Sequence, residues 1–161
     1  MRPSEHQPAS DAKSPDQRGA AMVEFALIAP ILLGLLFGII EFGWTFSQVL
    51  DTRHGAREGA RLVAVNYHPT GSTGTTQTDE IVAEICGRVD DPQEYRIEIT
   101  LAASGANQAG DLALVRVERN LEQLSGFYDP FLKNVVPNSE VNFRLEQEAT
   151  WAETTTAQSC P

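Results

Sequence analysis

Arg18–Phe46, RGAAMVEFALIAPILLGLLFGIIEFGWTF, decides how the rest of this chain is read. Phe25 to Ile40 contains no charged residue, and the apolar character continues through Trp44 and Phe46. A bilayer core needs about 20 mainly apolar helical residues. Met22 to Phe46 supplies that length when Glu24 near one end and Glu41 near the other are accommodated. A charge in a membrane segment costs roughly 2.5–3.5 kcal/mol at the helix centre on insertion scales, and less toward the ends. Glu41 lies near the far end and reaches the interface. Glu24 stands directly behind a Gly-Ala boundary where the polar leader stops, so its charge needs a partner.

Upstream of that boundary, Met1 to Gln17 is polar, holds Pro3, Pro8 and Pro15, and shows no helical period, which predicts disorder. A secretory signal has a short apolar core that ends in a small-residue cleavage site. Here the small residues come before the apolar run, so a cut at Gly19 leaves the anchor on the mature chain. Residues 1–19 therefore read as a polar leader that is removed. Basic residues do not fix the orientation, because Arg2, Lys13 and Arg18 precede the helix and Arg53, Arg57 and Arg61 follow it. The acidic remainder has few Lys or Arg near the membrane and reads as translocated, with the N-terminus inside.

Residues 20–65 read as a transmembrane helix continuing as a stalk. Gly34 and Gly38 form a small-xxx-small pair that lets neighbouring helices approach in lipid, and Pro30 removes one helix hydrogen bond and is expected to kink the segment. Beyond Phe46, SQVLDTRHGAREGARLVAV places Arg53, Arg57 and Arg61 on one stripe. Gly55 and Gly59, with Ala56 and Ala60, form an adjacent strip of small residues that suits packing on the following domain or on a neighbouring subunit. The arginines alone equally suit a solvated face reaching lipid headgroups.

Asn66 to Gln77, NYHPTGSTGTTQ, reads as a linker. Thr78 then reads as an N-cap with Asp79 and Glu80 in the first turn. Ile81, Val82, Ile85 and Val89 give the helix one apolar face, and it ends near Gly87 to Val89. Three stretches alternate as strands: Tyr95–Leu101 with odd-numbered residues inward, Leu112–Glu118, and Val141–Glu146, extending to Trp151. SGANQAG joins the first two as a turn. Asn120 to Ser139 is too long for a plain hairpin, and Leu121, Leu124, Phe127, Phe131, Val135 and Val136 imply a short helix and a packed loop. The fold class is thus α+β, with residues 78–161 forming a small extracytoplasmic domain of antiparallel sheet and one or two short helices.

The whole chain of 161 residues carries a formal net charge of −10, and the part from Asp79 onward has 15 acidic and 6 basic residues. Nucleic-acid binding requires a basic footprint and is excluded on that ground. The two cysteines, Cys86 and Cys160, lie beyond the membrane segment. In an oxidising compartment they form one disulfide, worth roughly 4–5 kcal/mol in the chain-entropy account; otherwise both are free thiols. There is no GxxxxGK[ST], GxGxxG after a strand, HExxH, GxSxG or CxxC. His6, His54 and His68 fall in the leader, stalk and linker, and Asp90–Asp91 and Glu146/Glu148 read as solvated acids. No enzymatic activity, cofactor or metal is expected.

Gly19, Ala20-Ala21-Met22-Val23, Glu24-Phe25 and the apolar helix resemble the processing site of type IV-type prepilins. The wording RGAAMVEFALIAPILL, with GAREGARLVAV past the helix, resembles the TadE-like pseudopilins of the tight-adherence (Tad/Flp) pilus system. The resemblance covers about Arg18 to Val65. It implies that a prepilin peptidase cuts after Gly19, that Ala20 becomes the first residue of the mature chain, and that Glu24 and Phe25 are its fifth and sixth. It implies that Glu24 pairs with the new α-amino group of Ala20, commonly in a neighbouring subunit, and sets helix register during assembly. Many pilins begin the mature chain with Phe or Met, where this one has Ala20. Flp major pilins are short and lack a globular domain, so the length fits a minor pilin or pseudopilin. The partners implied are the peptidase, other pilins, the Tad assembly platform and the lipid bilayer. Two other readings remain open here: a pseudopilin of a type II secretion-like system, whose domains often bind calcium, and a plain membrane-anchored binding or sensor module that keeps its leader.

Overall fold

Fifty residues, Pro15–Ala64, form a single α-helix, α1. The computed structural model describes residues 15–103, 106–126, 129–132 and 134–161. The chain divides into two compact units, Met1–Ile40 and Glu41–Pro161.

In the first unit α1 is apolar and outward-facing, with every large apolar side chain from Met22 to Ile40 exposed. The helix is long and apolar enough to cross a membrane. Pro30 lies inside it, and helix is assigned on both sides. Of the polar leader, residues 1–14 lie outside the described residues. Pro15 to Gln17, read as disordered from sequence, instead belong to the helix. Proline suits a first turn because the N–H it lacks would have no intrahelical acceptor there.

The second unit takes the rest of α1, then α2 (Thr75–Cys86), a 3-10 turn at Pro92–Glu94, β1 (Tyr95–Leu101), β2 (Leu112–Arg119), α3 (Asp129–Leu132), β3 (Asn138–Arg144) and β4 (Gln158–Ser159). The strands make one antiparallel sheet in the order β3-β2-β1-β4. The architecture is α+β: a long N-terminal apolar helix, then a small domain with a four-stranded antiparallel sheet and a short helix. Alternation places Tyr95, Ile97, Ile99, Ala113, Val115 and Val117 on one buried face. That face shares a core with Ala56, Leu62 and Val63 of α1 and with Ile81, Val82 and Ile85 of α2.

Four local expectations are corrected. α2 starts at Thr75, three residues before the expected cap. Its N-cap is Gly74, at φ 65°, a left-handed conformation that glycine adopts without a Cβ penalty. Thr78 sits inside the helix and is buried, its hydroxyl donating to Ala152 O at 2.6 Å, so it ties the C-terminal segment to α2. At the other end α2 stops at Cys86 with Gly87 as C-cap.

β3 does not run on to Trp151. It ends opposite Leu112, the first residue of β2, because the chain before Leu112 turns through Gly110 at φ 94°. Trp151 instead bridges to Gly74 in parallel. In the β2–β3 connection Leu124, Val135 and Val136 are exposed rather than packed. Phe127 and the side chain of Phe131 lie outside the described residues. Finally, the polar C-terminus contributes β4, antiparallel to β1 through Arg96↔Ser159 and Ile97↔Gln158.

Candidate functional site

Gly19, Ala20, Glu24 and Phe25 all lie on α1 and are exposed. Ala20 and Glu24 are four residues apart and share one helix face. A Cβ added at Gly19 or Gly34 would meet nothing within 4 Å. Gly34 and Gly38 are each half-buried by the helix itself.

From Glu41 the inward face of α1 changes character every turn. Glu41, Gln48 and Thr52 are buried, and Trp44 flanks them. Glu41 is 2% exposed, which for a carboxylate requires hydrogen-bond donors. They come from the β2–β3 connection. Leu124 N–H donates to Glu41 Oε1 at 3.0 Å, and the Ser125 N–H and hydroxyl donate to Oε2 at 3.2 and 2.8 Å. One turn up, Trp44 Nε1 and Gln48 Nε2 donate to Glu122 O at 3.1 and 2.6 Å, and Glu122 N–H donates to Gln48 Oε1 at 3.0 Å. The connection is therefore strapped along α1 by its own backbone.

Next along the face is a charged cluster. Tyr95, fully buried, donates from its hydroxyl to Asp51 Oδ2 at 2.5 Å and accepts from Arg119 Nη1 at 3.0 Å. The Arg119 guanidinium is 3% exposed, lies 5.0 Å from the Tyr95 ring centroid, and approaches Asp51 and Asp91 at 3.7 and 3.8 Å. Burial first, and then the bond to Asp51, push the Tyr95 phenol up to about 12 against the opposing pull of Arg119. A cleft of about 270 Å³ opens here beside Trp44, Asp51 and Arg119. Among the described residues no group of three or more His, Cys, Asp or Glu is placed to hold a metal. The cluster joins helix to sheet, and its acid and phenol are committed to that contact.

Gly55 and Gly59 complete the face. A Cβ on Gly55 would lie 3.0 Å from Val89 Cγ1, and one on Gly59 would lie 2.8 Å from Ile85 Cδ1 and 3.1 Å from Val115 Cγ1. The small strip thus lets α1 close onto α2 and β2 of its own domain. Arg53, Arg57 and Arg61 point outward. Arg61 pairs with Glu58 at 2.7 Å, and Glu58 also takes Arg88, which pairs with Glu84. Cys86 and Cys160 are joined by a disulfide with Cα atoms 5.7 Å apart, tying the end of α2 to the C-terminus.

The residues along α1 from the glycine at the expected cut to the last arginine of the stripe can be compared with known families. Residues 19–61 match the TadE-like protein family. The TadE-like match supports a Tad-type pilus-associated protein. No curated protein and no solved structure matches the chain.

Sequence reasoning places Gly19 to Phe25 and the glycine strip on α1 but misses the two polar contacts between them. Glu41, Gln48 and Thr52 recur at helical spacing, which marks one polar stripe in an apolar context. Glu41 and Gln48 take backbone partners 74 to 84 residues away, which leave no compositional signal, while Thr52 donates to Gln48 O within α1. The same holds at the start of α2. There the Asn66 side chain accepts from Gln77 Nε2 at 2.9 Å and from Thr150 N–H at 3.1 Å, inside what reads as a linker.

Proposed function

We propose that this chain is a TadE-like minor pilin or pseudopilin that takes part in assembling a Tad/Flp pilus. The observation that carries this is the family match over residues 19–61, which opens on the glycine where a prepilin peptidase would cut. Cutting between Gly19 and Ala20 needs the first turns of α1 to open, and a helical glycine lowers that cost by about 1 kcal/mol relative to alanine. The cut leaves the apolar helix on the mature chain as a single-pass anchor, N-terminus inside and domain outside the cytoplasmic membrane.

Glu24 then has its role. It is an exposed carboxylate on an apolar helix, and leaving it bare in lipid is unfavourable. The α-amino group of Ala20 of a neighbouring subunit neutralises it and sets helix register, while Gly34 and Gly38 provide the close approach. The domain has no catalytic role; its partners are other pilins and the Tad assembly platform, and the peptidase acts on the chain as substrate. The N-terminus and intact mass of the membrane-extracted protein, with and without the cognate prepilin peptidase, test this. A peptidase-dependent start at Ala20, lost in Gly19→Leu, is expected. A retained leader in the presence of active peptidase favours a plain anchored module instead.

A further inference from the structure

The β2–β3 connection, residues 120–137, leaves the sheet at one particular end. Glu118 pairs with Asn138 there, and Arg119 pairs with Tyr95, whose hydroxyl binds Asp51 of α1. The opposite end, past Arg144, meets the far end of α1, where Glu146 N–H donates to Ala64 O at 2.9 Å. α1 therefore runs beneath the sheet from Asp51 to Ala64, and the connection continues in the other direction. Its backbone is read at Gln48 and Trp44 by way of Glu122, then at Glu41 by way of Leu124 and Ser125. Ten helical residues separate Asp51 from Glu41, an advance of about 15 Å. A count of about 20 residues starting from Met22, the length that crosses a bilayer core, ends at Glu41.

We propose that the first part of this connection, residues 120–126, is a membrane-seated segment. Leu124 enters the interfacial layer of the bilayer that α1 crosses, and Glu41, which accepts the Leu124 N–H, fixes its depth. The Leu124 side chain is 57% exposed in the chain alone. Phe42 and Trp44, beside Glu41 on α1, are exposed as well, so Leu124 borders the apolar belt of the helix there. Trp44 has the amphipathic ring that favours the headgroup level, with its N–H already donated to Glu122 O. The connection contains Glu122, Asp129 and a single base, Lys133, so the attraction is apolar and does not require anionic lipid. Lipid is the occupant because that belt already belongs to the anchor; the inference rests on reading α1 as one.

The test uses the full chain reconstituted in phosphatidylcholine vesicles. The photoreactive residue p-benzoylphenylalanine replaces Leu36, Leu124 or Leu112 in turn, and intact mass after irradiation reports what each position captures. Leu112 is the control, an exposed apolar side chain at the opposite end of the sheet. Lipid adducts are expected at 36 and 124, several-fold above those at 112, and Glu41→Ala should lower the yield at 124 while leaving 36 unchanged. Lipid at 36 with none at 124, equal labelling at 124 and 112, or adducts at 124 to a second copy of the chain would each overturn the loop assignment. Unchanged labelling at 124 in Glu41→Ala overturns the role of Glu41. Absence of lipid adducts at 36 overturns the anchor itself, and the loop with it.

Discussion

Tyr95 shows how much one side chain in this domain is asked to do. Its ring is core, its hydroxyl joins Asp51 of α1 to Arg119 of β2, and its face carries the guanidinium. Because burial, helped by Asp51, raises its pKa to about 12, the folded chain holds the phenolic proton more tightly than the unfolded chain. The stability this supplies is complete below the ordinary phenol pKa of about 10 and is lost as pH climbs toward the folded value. Denaturant midpoints of the detergent-solubilised protein should fall across that alkaline window. In Tyr95→Phe that fall should shrink, at a neutral-pH cost of about 1–3 kcal/mol for leaving Arg119 Nη1 without its acceptor. Flat midpoints in the parent chain would disprove the assignment. Gly59 makes the complementary case for size. Alanine there gains about 1 kcal/mol of helix propensity. Its Cβ would also press on two fully buried side chains, Ile85 and Val115, and overpacking of this kind costs about 1–3 kcal/mol. The expected balance for Gly59→Ala is a loss of about 1 kcal/mol, with Gly59→Val worse, read from the same midpoints.

At the scale of elements, the strap between α1 and the β2–β3 connection is the contact most open to dissection. Glu41→Ala removes the carboxylate that accepts from two backbone N–H groups and one hydroxyl of the connection. Each loss costs about 1–3 kcal/mol if water cannot replace the carboxylate, and less in a segment that opens locally. Hydrogen exchange at Leu124 and Ser125 should accelerate by about tenfold or more, corresponding to about 1.4 kcal/mol, while β1 and β2 amides keep their protection. Unchanged exchange at those two amides would show that Glu41 does not hold the loop. The elements differ in how legible they were. β1 follows directly from the alternation in YRIEITL, because one face of the strand is core and the other is not. α1 follows from an uninterrupted apolar run. The start of α2 is hard to read because Thr78 looks like a cap, whereas the chain enters through Gly74 at positive φ and uses Thr78 to bind Ala152. β4 has no sequence signal, since two polar residues have no period; Thr154, bonded to Ile99, and Cys160, bonded to Tyr95 O and Cys86, hold the segment beside β1.

For the whole molecule, the same contrast separates what a sequence carries from what only a fold supplies. The residues proposed for processing, Gly19 to Phe25, are contiguous and stand out by type and order. The strap and the Asp51–Tyr95–Arg119 cluster join residues far apart in sequence, and no local pattern announces them. The disulfide lies between these cases, because two cysteines offer one pairing and the choice turns on compartment. Cys86–Cys160 spans 74 residues and clips the C-terminus, with β4, onto α2. A loop of that size is worth roughly 4–5 kcal/mol through the unfolded chain. With a unit of this size the loss should lower the melting temperature by on the order of 10 °C or more in a Cys86→Ala, Cys160→Ala chain. The bond also reports orientation, since such a link persists in an oxidising compartment and is rare in the cytosol. Whole cells can be lysed into denaturant with a thiol-alkylating reagent and no reductant, and the protein's mass measured. With the domain outside, both cysteines stay unlabelled until reductant is added. Two labels without reductant would place the domain in the cytoplasm, reverse the orientation of the anchor, and take away the disulfide's share of the stability in the cell.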